Sequence, residues 1–210
     1  MSKFLDKLIV EFDQGLKSSS SKFLNSNRPY PADKEEDYDM NEFEKNHSTS
    51  LMRVNHTGEV CAQALYRGQG LTAKMNATRE QMKQVAKEEL DHLAWCNRRL
   101  EELGGSTSIL NPIWYVMSFS LGALAGLAGD KLSLAFVEET ENQVVAHLSK
   151  HMERISPKDK KSEAIIKQMR IDEKQHAEKA KEAGASELSE ELKKLMAVVA
   201  KVMTKTSYQI

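Results

Sequence analysis

The sequence predicts an all-α protein, and three observations support this fold class. The 210 residues include only 10 Gly and 4 Pro, the two residue types that interrupt helices most strongly. Aromatic residues make up only 6%, whereas Ala, Leu, Lys, Glu and Met, which suit helices well, are abundant. Apolar residues recur at helical spacing, and no alternating run is long enough to indicate a sheet. We therefore expect a helical bundle.

Composition also excludes several classes of protein. The 30 Lys and Arg residues balance 31 Asp and Glu residues, so the chain lacks the basic surface of a nucleic-acid-binding protein. With 40% hydrophobic and 29% charged residues it is not disordered as a whole, and its length suits one domain. Its two cysteines, Cys61 and Cys96, form neither a disulfide framework nor a thiolate metal cluster, which favours a reducing, cytosolic environment.

Residues 1–45 are expected to form a peripheral segment, and residues 46–210 the bundle domain. The first 15 or so residues have the pattern of a short amphipathic helix, and acidic residues such as Asp6 and Glu11 distinguish it from a secretory signal or a transit peptide. Serines at 18–21 and two prolines within 25–33 then indicate a linker. The apolar stripe of the short helix comprises Phe4, Leu5, Leu8, Ile9 and Phe12.

The bundle domain contains five segments with helical periodicity. The four strongest are 48–73, 79–103, 131–154 and 158–183. A last helix, 189–204, carries apolar residues that should pack on the bundle, namely Leu192, Leu195, Met196, Val199 and Val202. Because the connection between the second and third segments is long, the economical architecture is a four-helix bundle with one long crossover and an extra C-terminal helix.

Three local signals predict helix ends. Thr78 with Gln81 resembles a capping box for the second helix. The glycine pair at 104–105 should stop that helix, since glycine readily adopts the left-handed conformation of a helix C-terminus. The Ser-Pro pair at 156–157 predicts the start of the fourth core helix, because proline is tolerated in a first helical turn.

The motif Glu-x-x-His places a carboxylate and an imidazole one helical turn apart on the same face, where both can bind one metal ion. The chain contains three such motifs: Glu44/His47, Glu89/His92 and Glu173/His176. The first lies in an acidic stretch without an apolar stripe, so we reject it as a site. The other two lie on stripes where the spacing requires core residues, and a buried carboxylate is costly unless it is paired or binds metal. Either motif alone would also fit a solvated surface pair, but two motifs on two core stripes favour a buried site.

A dinuclear site in a four-helix bundle needs one further glutamate from each remaining helix. Glu59 is the only acidic residue between Lys45 and Glu80, and it lies on an apolar stripe. On the third core helix the apolar stripe passes through Glu141, with Glu138 as the alternative about 60° around the helix. Spacing favours Glu141, because Glu59 precedes Glu89 by 30 residues and Glu141 precedes Glu173 by 32.

The predicted ligand set therefore combines four carboxylates with two imidazoles: Glu59, Glu89, His92, Glu141, Glu173 and His176. Oxygen and nitrogen donors without thiolate favour iron or manganese over structural zinc. An acid precedes each motif, and we predict that Asp172 accepts a hydrogen bond from His92 and Glu88 one from His176. Solvated acids are the alternative for both. His147 is a candidate proton relay or, alternatively, a structural histidine.

Five stretches of the chain form a distinctive series, in this order: LMRVNHTGEVCAQALYRGQ (51–69), EELDHLAWC (88–96), NPIWY with SLGALAGLAGD (111–130), VEETENQVVAHL (137–148) and MRIDEKQHA (169–177). Together they resemble the demethoxyubiquinone hydroxylase family of ubiquinone biosynthesis. The resemblance covers residues 48–210 and includes the closing KVMTKTSY. It implies a ferritin-like fold, two Fe²⁺ ions per chain, and the six ligands predicted above.

The resemblance also implies a reaction. A polyprenyl methoxy-methyl-benzoquinol would be hydroxylated on its ring by O₂, with one oxygen entering the ring and the other leaving as water. The two electrons would come from NADH or from the quinol itself, and nothing in the sequence resembles a nucleotide-binding loop. Implied partners are a membrane surface, other ubiquinone-biosynthesis proteins and a further copy of the chain, while the charge balance excludes nucleic acid.

One uncharged run, 103–129, stands out in this highly charged chain. Gly, Ser, Asn and Pro interrupt its first third, and the 17 residues from Ile113 are at the lower limit for crossing a bilayer. Trp114, Tyr115 and Phe119 suit an interfacial anchor. We therefore expect a crossover lying over one end of the bundle as a membrane-facing lid, and a peripheral location on the cytoplasmic face of a bacterial-type inner membrane.

Two other functions use the same features. A ferritin-like iron-storage or peroxide-scavenging protein can contain the same metal site, but it needs no apolar route for a long substrate. A purely structural bundle or membrane-surface adaptor would leave the acids solvated.

Overall fold

The computed structural model describes residues 26–36 and 38–210, together with Asp6, Val10 and Asp13. The predicted N-terminal amphipathic helix lies outside the described residues. The described part contains α-helices and no strand, which confirms the all-α prediction. Its helices are α1 (Glu42–Thr72), α2 (Asn76–Glu102), α3 (Asn111–Ala128), α4 (Asp130–Arg154), α5 (Lys160–Glu182) and α6 (Glu190–Gln209).

Helices α1, α2, α4 and α5 form the ferritin-like bundle, in which α1 pairs with α2 and α4 with α5. Each of them contributes to two apolar clusters separated along the bundle. One cluster contains Leu51 of α1 and Trp95 of α2, and the other contains Tyr66 of α1 and Met82 of α2. The predicted ligands lie between these clusters on every helix. Apolar side chains therefore close the bundle core on both sides of the carboxylates.

Crossover helix α3 lies along the side of α1, so the expectation that it covers one end of the bundle is wrong. Because α2 ends near the first apolar cluster and α4 begins near the second, the connection must return along the length of the bundle. Small residues allow the close approach. A Cβ atom on Gly68 would lie 2.2 Å from the carbonyl oxygen of Phe119, and one on Gly122 would lie 2.1 Å from that of Leu65.

The outward face of α3 also differs from the expectation. Trp114 and Tyr115 are buried, and Tyr115 packs against Val60 and Ala64 of α1, so these rings are not surface anchors. The face of α3 that points to solvent is aliphatic, with Ile113, Val116, Met117, Leu121, Leu124 and Leu127 exposed. Among the described helices, none combines the length and apolarity needed to span a bilayer.

Helix α6 packs less closely than its apolar stripe predicts. Within α6 only Ser207 is buried, whereas Leu195, Val198 and Val202 are each more than half exposed. The helix is held near its two ends. The backbone carbonyl of Lys193 accepts a hydrogen bond from the side chain of Gln143 of α4, and the hydroxyl of Tyr208 is hydrogen-bonded to Nδ1 of His47 of α1. Between these points α6 runs along a cavity described below, and Leu192, Met196 and Val199 of its apolar stripe line that cavity.

Helix termini confirm one sequence signal and correct two. Gly104 N–H donates to the carbonyl of Glu101, and that of Gly105 to the carbonyl of Leu100, which ends α2 as predicted. Thr78 is not a cap, because α2 begins at Asn76 and its N-cap Met75 makes no side-chain hydrogen bond. The carboxylate of Asp130 instead accepts from the backbone N–H groups of Lys74 and Met75.

The start of α5 is also later than predicted. Its N-cap is Asp159, which accepts from the backbone of Ser162, whereas Ser156 lies before the helix. Asp159 is held there by the buried guanidinium of Arg99, whose Nη2 donates to Oδ1 at 2.7 Å. A contact from α2 thus selects the cap.

Candidate metal centre

The structure brings the six predicted ligands together in the centre of the bundle. Two groups of ligand atoms each lie within 4.8 Å of one another. One group is Glu59, Glu89, His92 and Glu173, and the other is Glu89, Glu141, Glu173 and His176. All six side chains are buried. Because Glu89 and Glu173 belong to both groups, each would be available to metal bound in either group.

Each Glu-x-x-His helix presents its imidazole to both shared carboxylates. His92 Nδ1 lies 3.2 Å from Oε2 of Glu89 and 3.1 Å from Oε1 of Glu173. His176 Nδ1 lies 3.1 Å from Oε2 of Glu173 and 3.2 Å from Oε1 of Glu89. The arrangement is therefore nearly symmetric between α2 and α5, as expected when one helical motif occurs twice in facing helices. Glu141, and not Glu138, completes the second group.

The outer nitrogens of the two histidines meet the carboxylates predicted for them. His92 Nε2 lies 2.9 Å from Oδ2 of Asp172, and His176 Nε2 lies 2.7 Å from Oε2 of Glu88. Since a carboxylate accepts hydrogen bonds, it favours the proton on Nε2 and leaves the Nδ1 lone pair directed at the cluster. This tautomer is the one a metal ion requires.

The cluster holds more negative charge than its own side chains compensate. Burial, then repulsion from the neighbouring carboxylates, raises the pKa of Glu59 and of Glu141 well above the ordinary value. Burial opposes the charge on His92 and His176, but charges and hydrogen bonds of the surrounding carboxylates outweigh it and raise the pKa of both imidazoles. The metal-free cluster thus retains protons that cations would displace.

Two divalent ions fit this donor set. Within the described part of the chain, Oε2 of Glu59 and Oε2 of Glu141 are buried and accept no hydrogen bond. Buried carboxylate oxygens are costly without a partner. Four ionised carboxylates and two neutral imidazoles would carry four negative charges, which two divalent cations would neutralise.

A cavity of about 1160 Å³ leads from this cluster to the surface. Helices α1, α3, α4 and α6 line it, and Glu59 forms part of its inner wall. Much of the wall is apolar and includes Leu65, Met117, Leu121, Phe136, Val144 and Met196. Because Met117 and Leu121 are exposed, the cavity reaches the outer face of α3. A long apolar molecule could enter there and bring one end to Glu59.

Comparison with known proteins places the chain in a family. The model of the family described as ubiquinone biosynthesis protein COQ7 matches residues 46–207. The chain belongs to this family. Among its relatives, the 3-demethoxyubiquinol 3-hydroxylase of Legionella pneumophila strain Corby is 54% identical over 100% of this chain and 99% of the relative. Proteins of the same name from Chromobacterium violaceum and Pseudomonas putida strain GB-1 are 52% and 50% identical, over 98% of this chain and 100% and 96% of theirs.

In this COQ7-family chain, sequence reasoning missed two side chains that support the predicted ligands. The hydroxyl of Tyr66 donates to Oε1 of Glu141, and both groups are buried. Tyr66 lies two helical turns after Glu59 on the same apolar stripe, and that position could have identified it. Arg28 pairs with Asp172. It lies in the segment that the sequence assigned to the periphery, where no periodicity indicates a contact.

The other predicted candidates have different surroundings. His147 lies in the cavity wall with its ring 3.9 Å, centroid to centroid, from that of His151, and it belongs to neither ligand group. Burial lowers its pKa to about 4. The rejected pair Glu44/His47 is accounted for by other contacts. Glu44 closes a capping box with Asn41 and bonds Lys158, and His47 bonds Tyr208.

Proposed function

We propose that the protein is a di-iron monooxygenase that hydroxylates the ring of a polyprenyl methoxy-methyl-benzoquinol in ubiquinone biosynthesis. The observation that carries the proposal is the buried cluster of four carboxylates and two histidines at the inner end of an apolar cavity. The names of the relatives give the substrate and the position of hydroxylation. The catalytic domain we propose is 46–210, with 1–45 as an N-terminal segment.

The cofactor we propose is two Fe²⁺ ions per chain, held by Glu59, Glu89, His92, Glu141, Glu173 and His176. Iron bound there supplies the redox chemistry that activates O₂. Overall, a ring C–H bond is replaced by C–OH, and the second oxygen atom leaves as water after uptake of two electrons and two protons. The electrons come from NADH or from the quinol itself.

The chain's own residues have three tasks in this reaction. The carboxylates would neutralise the cations, and Glu89 and Glu173, which belong to both ligand groups, would contribute to both sites. Asp172 and Glu88 hold the imidazoles in the tautomer that can ligate. The apolar clusters at both sides exclude water from the site, which would limit side reactions there. No further side chain needs to attack the substrate.

The cavity supports a quinol with a long tail as substrate. Its inner wall contains Glu59, so a ring at this end lies beside the proposed ions, while the tail follows the apolar wall toward the exposed face of α3. His147 is neutral near pH 7, because burial lowers its pKa to about 4. Its Nε2 has no hydrogen-bond partner among the described residues and is placed in the wall to accept a hydrogen bond from a quinol hydroxyl. Because the lowered pKa disfavours a protonated imidazole, we propose this acceptor role and not a proton relay.

We propose that the exposed aliphatic faces of α3 and α6, which flank the cavity, rest on the cytoplasmic face of the inner membrane. Partition of such side chains into lipid is favourable, and charge on them opposes it. Leu124→Asp should reduce co-flotation with vesicles of phosphatidylethanolamine and phosphatidylglycerol. Ile171→Asp, at an exposed position of α5 away from the cavity, is the matched control and should float like the wild type. Wild-type protein that stays entirely outside the vesicle fraction contradicts this placement.

The catalytic proposal is tested by a metal-replete assay for conversion of demethoxyubiquinol under ¹⁸O₂. One labelled oxygen atom should enter each product molecule. His92→Ala and Glu173→Ala should abolish product while keeping most helix content by circular dichroism. Glu138→Ala is the matched control for Glu141→Ala, because the two residues are neighbours on α4 and only Glu141 reaches the cluster.

Full activity in His92→Ala or Glu173→Ala would contradict the proposed site. Iron loading far above two ions per chain, without product, would favour a ferritin-like storage protein instead. Unchanged metal content in Glu89→Ala would favour a structural bundle.

A further inference from the structure

A short strap of non-helical chain, residues 26–33, covers the outer side of the metal centre next to His92. Asp91 Oδ1 accepts from the backbone N–H of Asn27 at 2.6 Å and from Ser26 Oγ at 3.1 Å. Trp95 Nε1 donates to the same Ser26 Oγ at 3.0 Å. Both Asp91 and Trp95 belong to α2, within three residues of His92. The strap is therefore fastened to the helix that carries one of the ligand motifs.

The other end of the strap is fastened away from the ligands. Tyr30 is buried, and the guanidinium of Arg98 lies over its ring at 3.9 Å. Arg98 also pairs with Asp33 at 2.9 Å. These contacts hold the strap on α2 without touching any group bonded to a ligand. They provide a comparison for the contacts of Arg28.

Arg28 lies between the two fastenings and reaches Asp172 on α5. Its Nη1 donates to Oδ2 at 2.7 Å and its Nη2 to Oδ1 at 3.3 Å, and the guanidinium lies 4.9 Å from the centroid of the Trp95 ring. The same Oδ2 meets His92 Nε2 at 2.9 Å, while Oδ1 accepts from Gln168. Both carboxylate oxygens are thus bonded, and the two-point pairing fixes the plane of the carboxylate.

The equivalent carboxylate on the other side of the centre is held more loosely. Glu88 accepts from the exposed side chain of Gln84 at 3.1 Å and lies 3.9 Å from Lys179 Nζ, whose side chain is 50% exposed. The side chain of Glu88 is 30% exposed, against 11% for Asp172. The two halves of an otherwise symmetric centre therefore differ in the outer support of their histidines.

We propose that Arg28 is a positioning residue of the metal centre, which clamps Asp172 so that His92 Nε2 is held and its Nδ1 stays directed at the group formed with Glu59. The proposal rests on the di-iron function proposed above. Without the guanidinium, Asp172 can turn toward water and release His92. Loss of such an outer support typically lowers metal affinity 10–100-fold. One of the two sites should weaken, and the site with Glu141 and His176 should change little.

The test measures binding of Co²⁺ to the full-length, metal-free protein in competition with a chromophoric chelator, under anaerobic conditions. Wild type should bind two ions. Arg28→Ala should also bind two, but with about tenfold lower affinity at one site and a changed Co²⁺ absorption spectrum. Arg28→Lys, which keeps the charge and loses the two-point geometry, should recover part of this loss. Arg98→Ala is the matched control and should bind like the wild type.

A double-mutant cycle separates the clamp from a general loss of stability. If Arg28 acts through Asp172, then Asp172→Asn should weaken the same site, and adding Arg28→Ala should weaken it little further. Thermal unfolding of each metal-free variant checks that it folds. Wild-type affinities in Arg28→Ala, or an equal loss in Arg98→Ala, would overturn the clamp and leave the di-iron proposal intact. Failure of the wild type to bind two ions would overturn both.

Discussion

Replacement of Gly122 by alanine tests how closely α3 lies against α1. The new Cβ would lie 2.1 Å from the carbonyl oxygen of Leu65 and 2.9 Å from its carbonyl carbon. An ordinary contact begins near 3.4 Å, so α3 must retreat by about 1.3 Å at this point. The atoms of Leu65 that the new Cβ meets belong to the backbone of α1, which cannot move away by rotation as a flexible side chain can. Overpacking of this kind costs about 1–3 kcal/mol, and we expect the upper end of that range.

Gly58→Ala is the matched control on the neighbouring helix. Like Gly122, Gly58 lies inside a helix, in this case α1, but a Cβ atom at Gly58 would have no atom within 4 Å. Alanine should therefore stabilise the helix by about 0.5–1 kcal/mol through its better helix propensity. Equilibrium unfolding of metal-free protein in urea measures both variants. The propensity gain applies to both helical positions, so the free energies of unfolding should differ by the overpacking cost, about 3 kcal/mol. Equal free energies in the two variants would refute the close packing of α3 on α1.

Three further predictions concern buried polar groups. Burial lowers the pKa of His56 to about 4, so as the pH is lowered the unfolded chain takes up a proton before the folded chain does. The free energy of unfolding should therefore fall as the pH is lowered from 6.5 to 4. His56→Gln should remove about 3 kcal/mol of this dependence, measured by urea unfolding across that range. Tyr66→Phe removes the donor to Glu141 and should lower metal affinity about 10–100-fold at the site with His176, measured by chelator competition, with Phe136→Leu as the control. Arg99→Met leaves buried Asp159 without its cation and should cost about 3–5 kcal/mol in urea unfolding, whereas Arg98→Met at the exposed pair should cost about 1 kcal/mol or less.

Helical periodicity was sufficient to predict which six side chains the structure brings together in the buried cluster. Glu89 with His92, and Glu173 with His176, lie on core stripes that any straight helix of this sequence would bury. The same periodicity selects Glu141 over Glu138, and the structure places Glu141 in the cluster. The hydrogen bonds from the histidines to Asp172 and Glu88 follow from the same geometry, because residues preceding a ligand point toward the neighbouring helix.

Contacts between distant segments that follow from no helical periodicity were not predicted. Asp130 and Asp159 replace the expected signals at Thr78 and Ser156, because one carboxylate reaches across from α4 and the other is held by Arg99. The exposed apolar stripe of α6 is indistinguishable in sequence from one that packs. The strap at 26–33 contains neither periodicity nor a motif, and only its contacts with α2 and α5 reveal its position.

Quantitation of Fe²⁺ bound per chain under anaerobic conditions tests the di-iron assignment most directly. Wild type and the control Glu138→Ala should each bind two ions. Glu59→Ala should lose one site and Glu141→Ala the other, whereas Glu89→Ala should weaken both, because Glu89 belongs to both ligand groups. Two tightly bound ions in Glu89→Ala, or a wild-type protein that binds none or many more than two, would contradict a dinuclear centre formed by these six residues.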